Sequence, residues 1–210
     1  AFSAHDETLL EVRNGHGELP FTLAACYSGQ LRMLETLRYE FPKQFDAMIT
    51  THDVGGCCGR SLCSSALGNG SAPLELLTML LDAGEAVDCH APKATGVLGP
   101  SIESWAVDDI ATAPEFMLFF THCTRTPALH VASYFGVLQA VDLFIERGAD
   151  VSSTANPQGM TPLHLAVIGG HEDVVARLLA AGADVSVEDK RGRTALSYAE
   201  QLRSAATPRT

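Results

Sequence analysis

Apolar positions in the last third of the chain recur at helical spacing. Val174, Val175, Leu178 and Leu179 fall at i, i+1, i+4 and i+5, one face of a helix. Before them, Leu163, Leu165 and Ala166 form a shorter apolar face, opened by Thr161-Pro162 and closed by Gly169-Gly170. A threonine hydroxyl caps free helix amides, and proline forfeits no donor at the first helical position. Gly182 supplies a left-handed residue to end the second helix. Asp184 to Gly192 is polar and turn-forming. The pattern predicts two short helices followed by an extended finger.

This unit recurs. Leu129-His130-Val131-Ala132 returns as Leu163-His164-Leu165-Ala166, and Gly148-Ala149-Asp150-Val151 returns at the same interval as Gly182-Ala183-Asp184-Val185. Thr194-Ala195-Leu196 follows Thr161-Pro162-Leu163 at an interval shorter by a single position. A fixed period of this size, roughly 33 to 34 positions, marks a solenoid of stacked units. The run from Gly159 to Ala166, the Gly170-His171 pair, the Val174-Val175 and Leu178-Leu179 core and Gly182 to Val185 together resemble an almost complete ankyrin repeat. Arg125 to Val151 resembles the preceding repeat, with Ala128 where proline is usual, and Arg193 to Gln201 the inner helix of a final one.

The N-terminal half carries the resemblance more weakly. Gly59-Arg60-Ser61, Ala66, Asn69-Gly70 and Leu80 to Gly84 resemble a further repeat, and Leu23-Ala24-Ala25, Gly29 and Leu31 to Leu37 an earlier one. The interval from Ala25 to Ala66 exceeds the repeat period, so Lys43 to Cys58 reads as an enlarged loop. Helices are expected near Ser101 to Val107 and Pro114 to His122, and a capping helix over Asp6 to Asn14. The expected architecture is an all-α ankyrin solenoid of about five helix-turn-helix units, forming one domain over residues 1–210. Its expected parts are an N-terminal cap (1–15), a degenerate repeat plus long loop (16–58), a repeat (59–88), a degenerate repeat or insertion (89–125), two repeats (126–158 and 159–191) and a C-terminal cap (192–210).

Composition narrows the function. The formal net charge is -11, against the basic excess of a nucleic-acid binder. The charge is uneven: 16 acidic and 7 basic residues through Arg125, then 9 and 7. No apolar run approaches the roughly 20 residues of a membrane span. Ala1 to Glu11 lacks the pattern of a secretory signal, and Ala1 itself leaves open a processed chain or a domain of a longer protein. Six cysteines in 210 residues read as free thiols in a reducing compartment. An intracellular place is therefore expected, cytoplasmic or nuclear, or organellar if Ala1 is a processed terminus.

Candidate chemistry is sparse. His52, Cys57, Cys58 and Cys63 lie close together and are zinc-compatible types, but the paired-cysteine spacing of a zinc site is absent. No metal site is expected; these four are the candidates if one exists. No phosphate-cradling loop or nucleophile elbow is present, so neither catalysis nor a cofactor is expected. The resemblance implies that His130 and His164 link their own threonine to neighbouring backbone. It also implies a concave binding face for another protein, carried onto Tyr134, Phe135, Thr154, Gln158, Met160, Ile168, Glu188, Lys190, Arg191 and Arg193. The expected function is a protein-interaction module or scaffold that recognises an extended, partly acidic epitope. Alternatives are a regulatory or targeting domain of a larger enzyme or channel, and a structural subunit of a larger assembly.

Overall fold

The computed structural model describes residues 31–50, 62–67, 72–88, 126–156 and 158–206. Regular structure among the described residues is entirely α-helical. The helices are α1 (Leu31–Glu40), α2 (Pro42–Thr50), α3 (Leu62–Leu67), α4 (Leu74–Asp82), α5 (Ala128–Phe135), α6 (Leu138–Glu146), α7 (Pro162–Gly169), α8 (Glu172–Ala180) and α9 (Ala195–Ala206). The expected helices at Asp6 to Asn14, Ser101 to Val107 and Pro114 to His122 lie outside the described residues.

One expectation is corrected at α2. Residues 43–50, the first part of the enlarged loop expected over Lys43 to Cys58, belong to a helix, Pro42–Thr50. Phe41, Phe45 and Ile49 recur every fourth residue and are all buried together with Leu34 of α1. That spacing gives one apolar face, and its burial drives the helix. Residues 51–58 lie outside the described residues.

Helices α3 and α4, α5 and α6, and α7 and α8 form successive pairs. The inner members stack as a row in which α3 packs on α5, α5 on α7, and α7 on α9. The outer members form a second row, α4 on α6 and α6 on α8. One core runs between the rows and holds Leu76, Leu77 and Leu80, then Leu129, Val141 and Phe144, then Leu163, Val174 and Leu178. The outer helices close identically. The amides of Gly84, Gly148 and Gly182 reach back to Leu81, Ile145 and Leu179, and the next residue to Leu80, Phe144 and Leu178. Each closure needs a left-handed residue, and the three glycines sit at φ of 104, 85 and 89°.

The α3–α4 and α5–α6 pairs are direct neighbours, although residues 89–125 separate them in the chain. The Ser64 hydroxyl donates to the Thr126 carbonyl at 2.8 Å. The Asp150 amide donates to the Asp88 carboxylate at 3.3 Å, and Arg147 pairs with Asp82 at 2.7 Å. The next junction repeats this scheme: the Asp184 amide donates to the Ser152 hydroxyl, and Arg177 pairs with Asp142.

Candidate protein-binding surface

The fingers are built by short polar side chains that fold the backbone on itself. The carboxylates of Asp150 and Asp184 accept the amides of Ser152 and Ser186, two positions on. Further along, Asn156 accepts the amides of Gln158 and Met160 and donates to the Met160 carbonyl. Asp189, at the matching place one repeat later, accepts the amides of Arg191 and Arg193 at 2.8 and 3.0 Å. Such local bonds hold a turn without a sheet. Neighbouring fingers are joined by the Lys190 amide, which donates to the Gln158 carbonyl at 2.9 Å.

Histidines pin each finger to the helix before it. His164 faces its own Thr161 through Nδ1, at 3.1 Å from the amide and 2.8 Å from the hydroxyl, while Nε2 donates to the Arg193 carbonyl. Thr161 and His164 together form a reciprocal capping box at the start of α7. This is the structural role the resemblance implies. His130 donates from Nε2 to the carbonyls of Ser153 and Met160. Burial lowers the His130 pKa to about 4 and pushes that of His164 down as well, so both rings are neutral near pH 7. His171 donates to the Tyr134 carbonyl at 2.9 Å, tying α8 to the end of α5. Its ring fills the space where side chains at Gly136 and Gly169 would stand, which accounts for both glycines.

The residues expected to bind a partner divide by exposure into three groups. Thr154, Glu188, Lys190 and Arg191 are exposed on the fingers; Phe135, Gln158 and Ile168 are half-buried. Tyr134 and Met160 are buried, which corrects their expected exposure. Tyr134 is 9% exposed and clusters with Met160, Leu165 and Tyr198, its ring edge-on to Phe135 at 5.2 Å. These partners come from three successive units, so no local pattern reveals the cluster. Arg193 is also committed: its guanidinium contacts Asp189 at 3.2 Å and lies 4.4 Å over the Tyr198 ring.

Sequence reasoning missed the resulting hub. Buried Asp189 accepts from the Tyr198 hydroxyl at 2.7 Å as well as from Arg191 and Arg193. Burial opposes its charge, but the Tyr198 hydroxyl, the two arginine amides and the Arg193 cation outweigh burial and hold the pKa below the usual value. The signal available was the match of Asp189 to Asn156 at the repeat spacing.

Of the metal candidates, His52, Cys57 and Cys58 lie outside the described residues. Cys63 is buried in α3, its thiol donating to the Glu85 carboxylate at 3.2 Å while the same carboxylate accepts the Cys63 amide. Among the described residues no group of three or more metal-ligating side chains converges. No helix among them is long and apolar enough to cross a membrane.

The family model for ankyrin repeats, in three copies, matches residues 120–207. Over 72 residues the chain is 33% identical to the inactive serine/threonine-protein kinase TEX14 of Bos taurus, covering 34% of this chain and 5% of that protein. It is 33% identical over 79 residues to an ankyrin repeat-containing protein of Schizosaccharomyces pombe, 38% of each chain. It is 35% identical over 91 residues to a probable E3 ubiquitin-protein ligase of Oryza sativa subsp. japonica, covering 43% of this chain and 20% of that one. The chain thus spans between 5% and 38% of the length of these relatives. With its paired helices, left-handed closures, braced fingers and threonine–histidine cap, the segment that this model matches, within residues 120–207, is an array of ankyrin repeats.

Proposed function

We propose that this chain is a protein-interaction module that recognises an extended epitope through the finger side of its stack. Ankyrin repeats bind other proteins, and that much follows from the family. The observation that carries the finer reading is the bracing of the fingers. Asp150, Asn156, Asp184 and Asp189 spend their polar atoms on finger backbone, while Thr154, Glu188, Lys190 and Arg191 remain exposed. A pre-ordered surface loses little entropy on binding. Lys190 and Arg191 favour an epitope with acidic residues, since complementary charge steers encounter.

The relatives support a second reading. Each matches over only part of its length, and their names include an inactive kinase and a probable ubiquitin ligase. On this reading the same surface targets or regulates a larger protein. Affinity capture with the chain as bait, followed by calorimetry on each captured protein, tests the shared premise. A saturable one-to-one isotherm supports it; failure of every captured protein to bind directly would overturn it.

A further inference from the structure

We propose that Tyr198, buried in α9, is a positioning residue for the finger tip that carries Lys190 and Arg191, and that the tip so held reads two adjacent acidic side chains of the partner, an inference that rests on the finger-side reading above. Two equivalent turns, held in different ways, carry it. In the first, Asn156 Oδ1 accepts the amides of Gln158 and Met160, and the Gly159 amide returns to the Asn156 carbonyl. In the second, one repeat later, Asp189 Oδ1 accepts the amides of Arg191 and Arg193, and the Gly192 amide returns to the Asp189 carbonyl. Gly159 and Gly192 are left-handed alike, at φ of 68 and 72°.

The other end of each side chain differs. Nδ2 of Asn156 donates to the Met160 carbonyl and so closes its own turn. A carboxylate has no such donor. Oδ2 of Asp189 takes instead the Tyr198 hydroxyl at 2.7 Å and the Arg193 guanidinium at 3.2 Å. Tyr198 and Arg193 stand where the preceding unit has Leu165 and Met160. Asn156, Met160 and Leu165 are thus exchanged as a set for Asp189, Arg193 and Tyr198. Asp189 is only 6% exposed, so its carboxylate depends on these donors. It also neutralises Arg193, which would otherwise add a third like charge beside Lys190 and Arg191.

The tip presents two neighbouring cations, both exposed. Lys190 is tied down from the other side as well. Its amide donates to the Gln158 carbonyl at 2.9 Å, and its stem lies against Gly159, where a β-carbon would stand 3.3 Å from Lys190 Cγ. Two cations fixed side by side match two adjacent carboxylates, and fixing them beforehand reduces the entropy lost on binding. Tyr198 touches no partner in this scheme; it acts through Asp189.

The test uses the full chain, a fluorescein-labelled peptide with consecutive glutamates, and its glutamine counterpart. Fluorescence anisotropy at low salt is expected to show saturable binding of the glutamate peptide alone. Y198F keeps the ring beneath Arg193 and removes only the hydroxyl. It should bind about threefold or more weakly, because the tip is no longer pre-ordered. Hydrogen exchange should quicken at the amides of Arg191 and Arg193, while that of Ala183, at the close of α8, stays as in the parent. D189N/R193M/Y198L copies the Asn156, Met160 and Leu165 set without changing net charge, and should restore both readouts. Lost packing alone would make this triple exchange worse than Y198F. Parent-like affinity and exchange in Y198F, or a triple variant weaker than Y198F, would overturn the proposal and leave the finger-side reading standing. Binding that survives K190E/R191E, or that the parent itself lacks, would overturn that reading and the proposal with it.

Discussion

Pro127 stands at the start of α5 in the place that Thr161 holds at the start of α7, one repeat later. Thr161 offers both its amide and its hydroxyl to His164. Proline has neither group. The Nδ1 of fully buried His130 is accordingly left with no hydrogen-bond partner, and α5 begins without a side-chain cap. Since Nε2 donates to two carbonyls, Nδ1 is the bare acceptor.

Pro127→Thr is therefore expected to stabilise the fold. A restored cap contributes about 1 kcal/mol, and a partner for a buried acceptor about 1 more. Loss of the proline constraint on the unfolded chain returns about 0.4–1 kcal/mol. The net gain is about 1 kcal/mol, read as a raised urea midpoint with unchanged slope. A midpoint at or below that of the parent contradicts the capping account.

Stability should fall as pH drops from about 6.5 to about 4. The folded-state pKa of His130 is depressed to about 4 by burial, against an unfolded value near 6.5. The unfolded state thus binds the extra proton through this window, and stability is complete only above it. The loss is on the order of 3 kcal/mol for His130. His164, lowered in the same direction by burial, adds to it. Asp189, also depressed, adds a further loss once pH falls through the carboxylate range. Denaturation curves from pH 7.5 to 4 check this, with His130→Gln expected to flatten the dependence. A parent chain equally stable at both ends would contradict it.

Leu163→Ala should cost roughly 2–5 kcal/mol, the usual range for emptying a buried leucine site. Leu163 lies in the main core between the inner and outer rows. Leu196→Ala, at the equivalent but exposed position, should cost much less. Equal losses at the two sites, measured by chemical denaturation, would show that the repeat register has been misassigned.

The α7–α8 unit was legible because its signals are local. Thr161-Pro162, the Gly170-His171 pair, Gly182 and helical spacing act within a few residues. The features that escaped depend on distant partners. Direct packing of α3 on α5 rests on Ser64 meeting Thr126, far along the chain. Tyr134 is buried by Met160 and Tyr198, which only stacking brings near. Phe41, Phe45 and Ile49 carry the signal for α2, whereas the long interval from Ala25 to Ala66 points to a loop in the same place. On the surface, the exposed charges Lys190 and Arg191 were legible as finger residues. The capture of Arg193 by Asp189 and Tyr198 was not.

The finger-side binding claim is tested most directly by calorimetry of the captured partner against three chains: parent, K190E/R191E and E146K. Lys190 and Arg191 are exposed on a finger, whereas Glu146 is exposed on the outer helix α6. All three should melt alike. K190E/R191E should bind about tenfold or more weakly, and the remaining affinity should depend less on salt. E146K should match the parent. Parent-like affinity for K190E/R191E, together with a loss for E146K, would place the partner on the outer row and contradict the account.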